Sequence, residues 1–258
     1  MCTLAIYVGA FVEFPVVVAA NRDEFLARPT SPPAVLDTGH EIFGGRDDVA
    51  GGTWLAVNRA GVVAALLNRR TGDPPDPSRR SRGQLCLSML RAASASAAAE
   101  LLREEHAEAY NPFNLLVADR DGGWIATNHR SAMSFRLLEP GLHLVTNLDL
   151  NDPTCPRIAA SYRRFAAMLA SDAPRPASAE FRDRLQAVLA SHDTQLDPRS
   201  LETAFGNSLC LHSAEYGTRS STLLFLDERG QWSYFHMNEP PCRGRYRSEP
   251  VKESLRGE

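Results

Sequence analysis

Lysine is almost missing from this chain: of 28 basic side chains, only Lys252 is not an arginine. Set against 31 acidic residues, this leaves a formal net charge of −3. No basic field exists to attract a phosphate backbone, and nucleic acid is not an expected partner. Cysteine is sparse as well. Cys2, Cys86, Cys155, Cys210 and Cys242 form an odd set with no CxxC pair, which predicts reduced thiols in a cytoplasm-like compartment rather than a disulfide frame. Neither these cysteines nor the seven histidines show metal-ligand spacing such as HExxH, so no metal site is expected. Gly44-Gly45 and Gly51-Gly52 lack the lysine and helix of a phosphate loop; they read as tight turns near a site entrance, and ATP or NAD binding has no support. Long apolar runs are also absent. Residues 4–20 imitate a signal peptide, yet they lack a positive start and are interrupted by Glu13 and Pro15. That stretch is too broken to span a bilayer, so no integral membrane segment is expected.

What remains is ordinary globular composition, 43% hydrophobic and 23% charged over 258 residues, enough to bury a substantial core. Residues 2–8 and 15–21 are short, β-branched and apolar at both parities, the pattern of strands covered on both faces. The runs 51–58 and 61–68, separated by Arg59-Ala60, read as a hairpin. Residues 71–82 (TGDPPDPSRRSR) are polar and proline-rich and read as a surface loop. Helices are expected at 84–91 and 95–109, strands at 113–118, 123–127, 134–138 and 142–146. Two further helices carry the apolar stripes Ile158, Tyr162, Phe165, Leu169 and Phe181, Leu185, Val188, Leu189. A last hairpin covers 221–227 and 231–236, and 239–258 reads as an unpacked C-terminal tail after a single domain over 1–238. Strands, helix pair, strands, helix pair, strands: this order predicts an α+β fold, a four-layer α/β/β/α sandwich that buries both faces of its central strands.

Two clusters carry chemistry. Removal of Met1, which a small second residue permits, would give Cys2 a thiol and a free α-amine, with reference pKa values of about 8.5 and 7.7–8.0. Nucleophile and base would then sit on one residue. Read alone, Cys2 is more simply a small buried hydrophobe at a strand start. Asn21-Arg22-Asp23-Glu24 follow a wholly apolar strand, and a run of this kind is commonly an exposed strand end. If the first two strands pair about a turn near 12–14, however, Arg22 and Asp23 arrive beside Cys2. Arg22 would favour the thiolate, and Asp23 would hold the amine.

The start MCTLAIY with AANRDEF, followed by GGTWLAVN, LVTNLDL and YGTRSSTLLFLD, resembles the NRDE family, also called the transport and Golgi organisation family. The similarity runs from Cys2 to about His236. The same landmarks resemble N-terminal-nucleophile hydrolases of the choloylglycine hydrolase and penicillin V acylase type. This resemblance implies that Cys2 is the nucleophile and Asp23 the carboxylate that orients its amine. It implies oxyanion donors at Asn68 and Asn147, and an arginine near the nucleophile at Arg219. Amide N–H groups suit an oxyanion, although Asn at a strand end is also an ordinary turn residue; Arg219 read alone is a surface charge at a strand start. One departure stands out: the hydrolase arginine precedes the aspartate by three positions, whereas Arg22 adjoins Asp23 and lies on the opposite strand face. Arg22, Asn21 and Glu24 are then expected to contact substrate. The expected activity is cysteine-dependent cleavage of a non-peptide amide or thioester of a small acyl compound, with no cofactor required. The alternative that the resemblance implies is a non-catalytic protein handling haem or lipid, with Arg22 and Arg219 meeting carboxylates.

Overall fold

The computed structural model describes residues 2–72, 74–192 and 208–254. Strands β1 (Thr3–Val8) and β2 (Val16–Phe25) pair as the expected hairpin, Thr3 opposite Asn21. They lie at the centre of a six-stranded antiparallel sheet with β10 (Gly141–Val145), β11 (Tyr216–Leu226), β12 (Trp232–Met237) and β13 (Arg247–Glu249), in the order β10-β1-β2-β11-β12-β13. A second antiparallel sheet runs β3-β4-β5-β6-β7-β8-β9. Its strands are β3 (Thr30–Asp37), β4 (Ile42–Asp47), β5 (Leu55–Asn58), β6 (Val63–Asn68), β7 (Phe113–Asp119), β8 (Gly122–Asn128) and β9 (Met133–Leu138).

Side-chain alternation builds the layers. Leu4, Ile6, Val8, Val16, Val18 and Ala20 meet Phe43, Leu55, Val57 and Leu116 of the other sheet. The residues between them, Ala5, Tyr7, Val17 and Ala19, pack under α3 (Pro156–Ala166) and α4 (Ala179–Leu189). The outer face of the second sheet is covered by α1 (Arg82–Met89) and α2 (Ala95–Arg103) through Ala56, Ala64, Leu115 and Val117. The result is the four-layer sandwich. Strands that read as apolar at both parities do so because each face meets a different layer.

Several segments differ from the sequence reading. β2 continues four residues past Asn21, because β11 pairs with it as far as Phe25 opposite Tyr216; ladder pairing outweighs the polar composition. β3 carries Pro32 and Pro33, which hide it from pattern reading, and it is an edge strand, where a missing N–H is tolerated. The expected unpacked tail over 239–258 is packed in its described part, residues 239–254. β13 extends the β12 edge, Val251 is buried, and the Tyr246 hydroxyl lies 2.7 Å from Ser221 Oγ.

Candidate active site

Parity sorts the chemistry at the β1/β2 end. Cys2 continues the row of Leu4, Ile6 and Val8 and packs against the core between the sheets. Arg22 continues Val18 and Ala20 on that same face, while Thr3, Asn21 and Asp23 turn toward the helices. Register adds a third strand. The β1–β10 ladder closes at Leu4 opposite Val145, with Asn147 two residues beyond it, while the β2 register brings Arg22 beside Cys2 on the other side. The Cys2 thiol lies 3.8 Å from the Asp23 carbonyl oxygen. Burial pushes that thiol up, and Arg22 counters only part of the rise.

Arg22 is itself buried, and its guanidinium carbon lies 4.2 Å over the Trp54 ring. Glu24 approaches it at 3.7 Å and also meets Arg28 at 3.9 Å. One guanidinium nitrogen, Nη1, is buried with no hydrogen-bond partner, a donor available to an anion in the cleft. A cavity of about 20 Å³ borders Cys2, Arg22, Trp54, Leu67 and Thr222. Gly45 makes the Trp54 position possible, since a Cβ there would fall 2.5 Å from the indole ring. Gly44 and Gly45 are therefore close-packed strand positions in β4 rather than the tight turn expected of them, whereas Gly51, with φ of 70°, does occupy a turn.

On the helix side, Asp23 is held from two directions. Thr218 donates its hydroxyl to Oδ1 at 2.6 Å, and Arg157 donates to Oδ2 at 3.2 Å. Burial raises the carboxyl above its ordinary range, while Arg157 and Thr218 act against that rise. Arg157, in the first turn of α3, also reaches Thr3 Oγ1 at 3.4 Å. Neither Arg157 nor Thr218 was singled out in the sequence.

The other expected residues divide. Asn147 is buried two residues past the end of β10, and its carbonyl accepts from the Arg70 N–H at 2.9 Å. Asn68 ends β6 exposed, one residue past Leu67, and lines a neighbouring cavity of about 390 Å³ with Arg69, Arg79, Arg82 and Arg130. Asn21 donates to the carbonyls of Leu189 and Leu209, both at 2.9 Å, which pins β2 to the helix layer. Arg219 occupies the bulge between Thr218 and Ser220, and its Nη1 donates to the carbonyls of Phe25, Leu26 and Arg28 at 2.7–3.2 Å. The expected clamp for a substrate carboxylate is thus occupied in holding the turn after β2.

Among solved structures, the chain is similar to an N-acylethanolamine-hydrolyzing acid amidase ortholog of Caenorhabditis elegans, at 13% identity and TM-score 0.56 over 86% of this chain and 92% of the other. It is also similar to penicillin V acylase from Agrobacterium tumefaciens (14% identity, TM-score 0.57, 92% and 83% covered) and to a variant of the conjugated bile acid hydrolase of Clostridium perfringens (10%, 0.57, 96% and 96%). All three are N-terminal-nucleophile hydrolases, and the fold is theirs. In sequence, the human Transport and Golgi organization protein 2 homolog is 29% identical over 246 residues, covering 86% of this chain and 85% of that one; the Bos taurus homolog is 28% identical over 242 residues with the same coverage. The model of the Transport and Golgi organisation 2 family matches residues 1–238, the span that holds both sheets but for β13 and all the residues gathered around Cys2: the chain belongs to that family.

Proposed function

We propose that the chain is a cysteine N-terminal-nucleophile hydrolase of the cytoplasm, an amidohydrolase or thioesterase acting on a small, non-peptide acyl compound. The observation that carries the reading is Cys2 at the head of the β1/β2 hairpin, with Arg22 on the same cavity and the braced Asp23 next to it. The cytoplasmic placement rests on five cysteines that are all unpaired. Once Met1 is removed, the Cys2 α-amine takes the thiol proton, directly or through one water, and the thiolate attacks the acyl carbonyl. Asn147, with Asn68 as the second candidate donor, receives the developing oxyanion. Collapse of the tetrahedral species expels the amine or thiol, which takes the proton back from the α-ammonium and leaves a thioester on Cys2. Water, deprotonated by the same amine, then releases the acid and restores the thiol. Asp23 positions the amine throughout.

A carrier reading draws on the second cavity, whose four arginines and larger volume suit the carboxylates of haem or of an acyl lipid. One set of measurements separates the two readings. Intact mass establishes whether the chain begins at Cys2, and a panel of acyl amides, acyl thioesters and haem is tested for cleavage and for binding. The expected result is loss of Met1, cleavage of at least one acyl compound, and a Cys2→Ala variant that binds this compound but leaves it intact. Retained Met1 in active protein rules out the self-activated nucleophile, and haem binding without any cleavage, abolished in an Arg79→Ala/Arg82→Ala variant, supports the carrier instead.

A further inference from the structure

The fold gathers four ligand-type side chains that no sequence spacing announces. His192 follows α4, Cys210 and His212 lie on the approach to β11, and Cys242 lies in the tail. One ligand atom from each falls within 4.8 Å of all the others. Cys210 Sγ lies 3.6 Å from Cys242 Sγ and 3.6 Å from His212 Nε2, and His212 Nε2 lies 3.2 Å from Cys242 Sγ. We propose that His192, Cys210, His212 and Cys242 form a tetrahedral zinc site.

Geometry supports the metal over the alternatives. A disulfide needs an S–S distance of about 2.05 Å, far below the separation of these two sulfurs. Zinc bonds of about 2.3 Å to sulfur and about 2.0–2.1 Å to nitrogen place the corners of a tetrahedron roughly 3.8 Å apart for two sulfurs and roughly 3.6 Å apart for sulfur and nitrogen. The separations among Cys210, His212 and Cys242, 3.2–3.6 Å, lie within about 0.4 Å of that frame, and His192 completes it within 4.8 Å. Two thiolates offset the charge of a divalent ion, and an S2N2 set selects zinc over magnesium or calcium. His192 is already oriented: its Nδ1 lies 3.0 Å from the Cys210 carbonyl oxygen, the second contact by which metal-binding imidazoles are commonly fixed, leaving Nε2 for the ion. Binding releases both thiol protons to solvent.

Each contributing segment is anchored independently, so the cluster is not an accident of loose side chains. The Ser191 carbonyl accepts from the N–H groups of Leu209 and Cys210, both at 3.1 Å, which joins the end of α4 to the second segment. Gln186 of α4 donates to the carbonyls of Pro241 and Gly244 at 2.8 and 3.0 Å, holding the turn that carries Cys242. With four protein ligands the site is closed, a structural rather than a catalytic centre. Its position nevertheless matters for Asp23. Leu211, between Cys210 and His212, exchanges two hydrogen bonds of 2.9 Å with Thr218, the residue whose hydroxyl holds Asp23. The metal would therefore fix the tail and the strand approach that braces that carboxylate. His192, Cys210 and His212 lie within the residues matched by the family model, and Cys242 lies beyond them.

The test uses the full chain, reduced and freed of metal, titrated with Zn2+ against a chromophoric chelator and separately with Co2+. The wild-type protein should take up a single equivalent of Zn2+ and melt at a higher temperature with it. The Co2+ form should show thiolate charge-transfer absorption and the intense visible bands of tetrahedral coordination. Cys242→Ser and His212→Ala alter exposed side chains and should fold, yet each should weaken zinc binding by ~100-fold or more. Reduced wild-type protein that takes up no Zn2+, or variants that bind it as tightly as wild type, would overturn the site. None of these readouts depends on turnover, so the outcome is independent of the hydrolase reading.

Discussion

Arg157 meets the Asp23 carboxylate at 3.2 Å with both side chains almost sealed from solvent, at 4% and 0% exposure. The partners lie 134 residues apart in sequence and tie the first turn of α3 to the end of β2. A pair this deep carries a desolvation cost that only its own geometry offsets, and removal of one member leaves the other stranded.

Arg157→Met should therefore destabilise the fold by roughly 3–5 kcal/mol, read as a lowered urea midpoint at unchanged slope. A second change, Asp23→Asn, should restore much of that loss, because the stranded charge is then gone. If Arg157→Met alone unfolds at the wild-type midpoint, the pair does not hold these elements together. Under the hydrolase reading the double variant stays inactive although folded, since Asp23 no longer positions the amine.

Asn147 makes a narrower prediction. Its place just past the end of β10, the strand that pairs with β1, suits a donor that acts only as the oxyanion forms, so Asn147→Ala should lower kcat by ~100-fold or more while KM and melting temperature hold. A large fall in melting temperature with unchanged turnover per folded molecule would make Asn147 a strand-end residue and nothing more. Asn68→Ala, measured alongside, decides whether the exposed end of β6 shares this task.

Much of this arrangement was legible in the sequence because alternation and strand pairing are local. A doubly apolar β1 and β2 fixed the hairpin, the hairpin brought Arg22 and Asp23 to Cys2, and adjacency placed those two side chains on opposite faces. What escaped notice is non-local. Arg157 sits on a helix that also carries Arg163 and Arg164, and nothing in that pattern distinguishes the buried arginine from the solvated ones. Arg219 reads in the sequence as a charge at a strand start; the bulge that aims it toward three carbonyls is set by pairing with β2. The His192, Cys210, His212 and Cys242 cluster was invisible for a similar reason: its four ligands come from three separately anchored segments rather than from one repeated spacing.

The last prediction concerns acid. His236 is buried, its Nδ1 is 2.9 Å from the hydroxyl of Thr222, a residue bordering the Cys2 cavity, and its Nε2 is 2.9 Å from Asn238 Oδ1. That network suits a neutral ring with the proton on Nε2, donating to the Asn238 oxygen and accepting from Thr222. Burial lowers the native pKa from 6.5 to about 4. As pH falls below 6.5, the unfolded chain gains a proton that the native chain refuses, so folding stability is fully present above that value and declines until the native ring also titrates near 4. The whole window is worth roughly 3 kcal/mol. Chemical denaturation measured at intervals from neutral pH down to that lower limit should show this decline, and His236→Gln, which keeps a polar side chain but cannot titrate, should flatten it even if it lowers stability at neutral pH. An identical acid limb in the variant would assign the loss to other groups and leave His236 without a part in it.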